Sequence, residues 1–243
     1  CLGSDEVENR VGEWIATRDG VLTRKLYYDQ DSSFLWKILV YFPDGRLEKE
    51  TISPAPGVPR PFVARAWRDS GGLFQTIESD GEITAEQPSY PMTRTQYRDD
   101  GESVAWVVRA TFVRPADGKS SRTELIWRRN YREDGTLEWA IEPDGQGFRA
   151  KVYRADGETV ESEGPNTNER ELKRTGTWSA FDEAGVLFEH QTWKHNRLSK
   201  RRAARKHVSE TAGARATALG KLLRRKPTRK LWLQICAELE GAV

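Results

Sequence analysis

Residue types that commonly carry catalysis or bind metal ions are sparse and scattered in this chain. Its 243 residues include three histidines, His190, His195 and His207, and two cysteines, Cys1 and Cys236. His190 and His195 are five positions apart, so on a strand they would lie on opposite faces and could not share a metal ion. The cysteines form neither a disulfide framework nor a CxxC motif. We therefore predict no catalytic residue, no metal site and no cofactor.

Carboxylates are plentiful, but many of them stand directly before glycine. Asp-Gly supplies the positive φ that tight hairpin turns need, so turn geometry accounts for these acids without a catalytic role. No P-loop, no GxSxG and no GxGxxG after a strand occurs in the sequence. The aspartates of this kind are Asp44, Asp80, Asp100, Asp134, Asp144 and Asp156.

A short unit built around these turns recurs along most of the chain. It reads YFPDG at 41–45, YRDDG at 97–101, YREDG at 131–135 and YRADG at 153–157, with looser copies at 15–20, 67–71, 77–81, 141–145 and 181–185. Apolar and polar residues alternate between the copies, as they do in half-buried strands. The pattern predicts a mainly β fold, an antiparallel up-and-down meander.

Large aromatic side chains are the main source of apolar surface, because only 37% of the residues are hydrophobic and nine are tryptophan. At strand spacing a tryptophan is most often part of the core, and the same residues could line a ligand pocket. The pocket candidates are Trp14, Trp36, Trp106, Trp127 and Trp139.

The charge is distributed unevenly along the chain. Residues 194–230 contain fourteen Lys and Arg and one acid, Glu210, a net charge of +13, whereas the whole chain has a net charge of +2. Apolar residues recur there at helical spacing, for example Val208, Ala212 and Leu219. We predict an antiparallel β domain over residues 1–198 and a basic helical extension over residues 199–243.

A basic extension suits an acidic partner. We expect it to dock on an acidic protein surface in a larger assembly, with nucleic acid or an anionic membrane surface as alternatives for residues 194–230. The residues assigned to partner binding are Arg201, Arg202, Arg205, Lys206, Arg224, Arg225 and Lys226.

Two families share local motifs with this chain. Gly12-Glu13-Trp14 resembles the G-x-W start of lipocalin-like barrels, which implies that Trp14 is buried at one end of a barrel and that an apolar ligand is bound. The segments YREDGTL at 131–137 and FDEAGVL at 181–187 are similar to the YD unit of tandem β-repeat proteins. That resemblance implies an immunity or antitoxin partner.

Closure decides between these architectures. A meander of eight or more strands has two exposed edges unless it closes, so we expect a closed or nearly closed barrel, with an open twisted sheet as the alternative. The predicted function is a non-catalytic binding or accessory protein; an immunity-type inhibitor, and a small apolar ligand carrier or lyase-like barrel, are the alternatives. Cys1 fits a mature lipoprotein, a processed organelle protein and a cloning remnant alike.

Overall fold

The computed structural model describes residues 11–204, except residues 32, 55, 56, 85, 115–120 and 146. Within them the chain forms fifteen strands and no helix long and apolar enough to cross a membrane. The strands are β1 Gly12–Arg18, β2 Val21–Tyr28, β3 Leu35–Tyr41, β4 Leu47–Ile52, β5 Arg60–Trp67, β6 Leu73–Ile83, β7 Ser89–Tyr97, β8 Val104–Val113, β9 Arg122–Tyr131, β10 Leu137–Asp144, β11 Gly147–Tyr153, β12 Val160–Asn166, β13 Gly176–Phe181, β14 Leu187–Lys194 and β15 Arg197–Ala203.

All fifteen strands belong to one sheet, in which the order along the sheet is the order along the chain. Every pairing is antiparallel, so the predicted mainly β up-and-down meander is confirmed. Extensive contacts join each strand only to the strands before and after it. β1 and β15 do not pair with each other within the described residues, and the sheet is open there.

The hairpins at one end of the strands, here called the turn edge, have the predicted Asp-Gly geometry. In the β9–β10 turn Gly135 has φ 83° and donates its amide to the Arg132 carbonyl at 3.1 Å. The Asp134 Oδ1 atom accepts the Thr136 amide at 2.9 Å. Turns at Gly45, Gly101, Gly157 and Gly185 also have positive φ. The turn assignment is therefore confirmed at these hairpins, where aspartates hold the backbone.

The assignment is wrong at Asp80-Gly81. Both residues lie within β6, and Asp80 forms an ion pair with Arg109.

Four arginines connect successive hairpins of the turn edge, and we call them the turn ladder: Arg68, Arg98, Arg132 and Arg154. Each donates from its Nη2 atom to the backbone carbonyl of the aromatic residue that opens the next hairpin in the sheet. The distances are 2.8 Å to Tyr97, 2.5 Å to Tyr131, 2.5 Å to Tyr153 and 2.6 Å to Phe181. The arginine of the YR pair in the repeat therefore has a structural role, because it links neighbouring hairpins.

The two faces of the sheet differ in chemistry. On β8 one face carries Trp106, Val108, Ala110 and Phe112, and we call it the apolar face. The other, the charged face, is covered by ion pairs between neighbouring strands, such as Lys37 with Glu50 at 3.1 Å and Arg149 with Glu163 at 2.9 Å. Alternation along each strand produces this division.

The main core lies on the apolar face of β10–β14. Trp139, Ile141, Ala150 and Trp178 form its buried cluster, and Ile141, Ala150 and Trp178 have no exposed surface. The Trp178 ring lies against Gly164, where any Cβ would stand 2.5 Å from the ring. A larger residue at 164 would therefore displace the tryptophan.

The connection between β12 and β13 folds back over this core. Leu172 packs against the cluster. The Asn166 side chain binds the loop through both its amide nitrogen and its amide oxygen. Its Nδ2 atom donates to the Glu171 carbonyl at 3.0 Å, and its Oδ1 atom accepts the Lys173 amide at 2.6 Å. The loop is thereby fixed above the apolar face.

Two sequence predictions need correction. Trp14 is 42% exposed, with its indole N–H bound to the Val11 carbonyl at 3.1 Å, so the expectation of a buried barrel plug is wrong. Residues 197–203 form β15, so the boundary predicted after residue 198 falls inside a strand and residues 199–203 are not helical. The remainder of the predicted basic helix, residues 205–243, lies outside the described residues.

Candidate ligand-binding cleft

A cleft of about 880 Å³ lies on the apolar face, toward the ends of the strands opposite the turn ladder. Strands β5–β9 form its floor, and the β2–β3, β4–β5 and β12–β13 connections overhang it. Its lining consists of Phe34, Ser53, Pro54, Phe62, Ile77, Tyr90, Met92, Arg94, Trp106, Val108, Ala110, Phe112, Arg114, Thr123, Leu125, Arg128, Glu169 and Arg170.

The cleft exists because the sheet curls toward its apolar face. Neighbouring strands lie about 4.8 Å apart, so β3 and β12 would be about 43 Å apart in a flat sheet. Yet Phe34, just before β3, and Glu169, just after β12, both line this one cleft. The sheet therefore wraps around the cleft, although its edge strands β1 and β15 do not pair with each other.

The apolar wall is built on β7 and β8. Tyr90 and Phe112 are paired across these strands, and their ring centroids are 5.1 Å apart. Burial raises the pKa of Tyr90, which keeps its phenol neutral. Ala110 is small and almost completely buried, so it leaves room above the floor. This wall offers contact to an apolar or aromatic group.

Two arginines interrupt the apolar wall at the same level of the sheet. Arg94 on β7 and Arg128 on β9 both pair with Val108 on β8, which places all three in one cross-strand row. Both guanidinium groups lie over the Trp106 ring, with the Cζ atoms 5.2 Å and 4.6 Å from its centroid. Arg128 is further held by the Asn130 Oδ1 atom, which accepts its Nε–H at 3.1 Å.

The positive charges of these two arginines are only weakly opposed by carboxylates. In the described part of the chain neither Arg94 nor Arg128 forms an ion pair, and the third cation, Arg170, is 3.7 Å from Glu169. Burial lowers the pKa of Arg94, and the charge of Arg170 lowers it further. Burial, then the charges of Arg94 and Arg170, lower the pKa of Arg128, and the Glu171 carboxylate opposes this shift. Both remain cationic at neutral pH because the ordinary pKa of a guanidinium lies far above 7.

Arginines of the charged face are in a different situation. Arg65 is 3.1 Å from Glu50 and 3.2 Å from Glu78, and Arg149 pairs with Glu163. The cleft differs in that several arginines lie together there beside apolar side chains. They give it the chemistry to bind an anion beside an apolar surface.

The structure distributes the five predicted pocket tryptophans over separate sites. Trp106 lines the cleft, and Trp139 belongs to the buried cluster beside it. Trp127 pairs with Arg109 on the charged face and stacks with Arg129 at 4.5 Å. Trp36 contacts the ring of Tyr27 and the guanidinium of Arg60, and Trp14 is exposed on β1. The structure does not bring them together.

Among the predicted partner-binding residues, the structure describes Arg201 and Arg202. Both are exposed on β15, and Arg201 Nε lies 3.4 Å from Glu189 Oε1. Arg205, Lys206, Arg224, Arg225 and Lys226 lie outside the described residues.

Sequence reasoning missed Arg94 and Arg128, together with Tyr90, Met92 and Phe112. A signal was present: Tyr90, Met92 and Arg94 share one strand phase, so an arginine follows two apolar residues where the pattern expects a third. Over the residues that the structure describes, no group of three His, Cys, Asp or Glu could hold a metal ion.

Comparison with known proteins identifies no family. No family model matches the chain, and no curated protein is similar to it. A solved structure with weak similarity is that of a porin-like protein from Bacteroides uniformis, with 8% identity over 79% of this chain and 92% of that chain. Its TM-score of 0.16 is too low to show a common fold.

Proposed function

We propose that this chain is a non-catalytic binding protein, whose cleft on the apolar face holds a small molecule with an apolar body. The cleft itself carries this proposal: its volume of about 880 Å³ lies within the usual range for ligand sites, and aromatic walls surround a few polar groups. Of the predicted alternatives, the apolar ligand carrier has the strongest support.

The polar groups of the cleft favour binding over catalysis. General acid–base chemistry needs at least one titratable group positioned and tuned for proton transfer. The carboxylate that lines the described cleft, Glu169, is engaged with Arg170. The remaining charged groups, Arg94, Arg114 and Arg128, bind and orient anions and do not exchange protons at neutral pH.

A second role, docking on an acidic partner, is supported by the edge strand β15. All seven of its residues are exposed, and Arg197, Lys200, Arg201 and Arg202 give it a positive charge. An edge strand also presents unpaired backbone groups to a partner. We propose this accessory role alongside ligand binding; closure into a barrel and a helical segment after residue 204 remain predictions.

Titration with a neutral fluorescent probe, N-phenyl-1-naphthylamine, tests ligand binding in the full chain. We expect saturable binding that Val108→Trp weakens about tenfold or more, because the indole fills the cleft between β7 and β9. Val107→Trp is the matched control, since it places the same ring on the charged face of the same strand. Met92→Trp provides a second filling variant.

Two results would contradict the proposal. One is the absence of saturable probe binding by the wild-type chain. The other is equal loss of affinity in Val108→Trp and Val107→Trp when both retain the wild-type circular dichroism spectrum. Either result would leave the cleft as a feature of packing without a ligand.

A further inference from the structure

We infer that the ligand of this cleft is an anionic amphiphile, with a carboxylate or phosphate head bound between Arg94 and Arg128 and an apolar tail along Tyr90 and Phe112. The inference rests on the proposed function and deepens it. It identifies the chemical class of the ligand and the residues that recognise its head.

The positions of two arginines support this assignment. Arg94 and Arg128 occupy one cross-strand row on either side of Val108, so they are two strands, about 10 Å, apart at the backbone. Their guanidinium groups converge on the single ring of Trp106. Arg128 is restrained by Trp106 and Asn130, which lowers the entropy lost when it binds an anion. We therefore place the anionic head at these two guanidinium groups.

Electrostatics supports it next. Three like charges, on Arg94, Arg128 and Arg170, lie in a partly desolvated cleft. The charge of Arg170 lowers the pKa of Arg94, and the charges of Arg94 and Arg170 lower that of Arg128 more than Glu171 raises it. An anion between them would relieve this repulsion and form charge-assisted hydrogen bonds. On the charged face, carboxylates of neighbouring strands form such contacts with arginine, whereas no carboxylate of the described residues forms an ion pair with Arg94 or Arg128.

The surroundings then determine what the anion is attached to. Met92, Ile77 and Leu125 continue the apolar lining from the arginines to the aromatic pair Tyr90 and Phe112. A free inorganic anion would leave this surface open to water. An alkyl or aromatic tail would cover this surface, and the removal of apolar area from water favours binding.

Competition against the neutral probe tests the inference with four molecules below their aggregation concentrations: dodecanoate, dodecyl phosphate, dodecanol and inorganic phosphate. We expect both anionic amphiphiles to bind at least tenfold more tightly than dodecanol, and inorganic phosphate to compete weakly. High salt should weaken the anionic amphiphiles and leave dodecanol unchanged.

Variants on one strand separate the recognition of charge from a general loss of fold. Arg128→Gln should lower dodecanoate affinity about tenfold or more and change dodecanol affinity less than twofold. Arg129→Gln is the matched control, because Arg129 is adjacent, also stacks on a tryptophan, and lies on the charged face. Arg94→Gln repeats the test from β7, and urea midpoints check folding.

Each failure has a distinct meaning. Equal affinity for dodecanoate and dodecanol, with the probe still bound, would overturn the anionic head and leave the proposed function standing. Inorganic phosphate as strong as dodecyl phosphate would overturn the amphiphile in favour of a bare anion site. If Arg128→Gln and Arg129→Gln behave alike, the site of recognition is wrong. Failure of every molecule, the probe included, would refute both proposals.

Discussion

Single aspartates of the turn edge stabilise the fold through hydrogen bonds to the loop that follows them. Hydrogen bonds from the side chains of Ser103, Thr136 and Thr159 lower the pKa of Asp100, Asp134 and Asp156, and backbone amides add to the effect. A carboxyl whose pKa is lower in the folded state stabilises the fold above its unfolded pKa, about 3.9 for aspartate. That contribution is lost as the pH falls through the folded-state pKa.

This linkage predicts how acid stability changes when the turn carboxylates are removed. In the variant with Asp100, Asp134 and Asp156 replaced by Asn, the Oδ1 acceptor remains but cannot titrate. We expect its urea midpoint to fall less steeply than that of the wild type below about pH 3.9. Replacing Glu102, Glu133 and Glu158 of the same turns by Gln is the control. Parallel pH profiles for wild type and the aspartate variant would contradict the prediction.

At the scale of elements, the turn ladder converts independent hairpins into one continuous edge. Arg132 donates to the Leu137 carbonyl at 2.8 Å within its own hairpin and to the Tyr153 carbonyl at 2.5 Å in the next. A planar guanidinium can make both bonds in fixed geometry, whereas the compact ammonium of lysine cannot reach both carbonyls in that geometry.

We therefore expect Arg132→Lys to lower the free energy of unfolding by about 1–3 kcal/mol, even though the charge is retained. Arg197→Lys, on the exposed strand β15, should change it by less than about 0.5 kcal/mol. Urea unfolding followed by tryptophan fluorescence measures both. A wild-type midpoint for Arg132→Lys would show that the ladder does not contribute to stability.

The strands and turns were predictable from the sequence because Asp-Gly and apolar alternation are local signals. The face on which each side chain lies was less predictable, because a β-bulge changes the phase of alternation. Leu125 and Trp127 are two apart and read as one face, but Leu125 pairs with Ala110 and Trp127 with Arg109, so the bulge between them places them on opposite faces. The alternation alone therefore places Trp127 on the same face as Leu125, whereas the structure places it on the charged face.

The partners of Arg94 and Arg128 depend on long-range geometry, which no local pattern reports. Arg170 approaches them from a loop that follows β12, because the sheet curls and brings the loop over β7–β9. The sequence could show that an arginine interrupts an apolar phase. It could not show which distant loop faces that arginine, and so the cationic cleft was found only in the structure.

At the scale of the molecule, stability is local because each strand contacts chiefly its two neighbours. Such an arrangement behaves like a one-dimensional array, in which segments can open without unfolding the whole. The buried cluster on β10–β13 should anchor the array, whereas β1 and β15 are edge strands with mostly exposed side chains.

Hydrogen–deuterium exchange of the full chain should therefore show a gradient of protection along the sheet. We expect the slowest amide exchange in peptides from β10–β13, where Ile141, Ala150 and Trp178 are completely buried, and the fastest in β1 and β15. Gly164→Ala, which forces the Trp178 ring to move, should raise exchange in β10–β13 far more than in β2–β4, because coupling passes chiefly from strand to strand. Gly147→Ala, at a strand glycine with open space, is the control. Uniform protection across all fifteen strands, or a uniform rise in Gly164→Ala, would mean that the sheet unfolds as one cooperative unit.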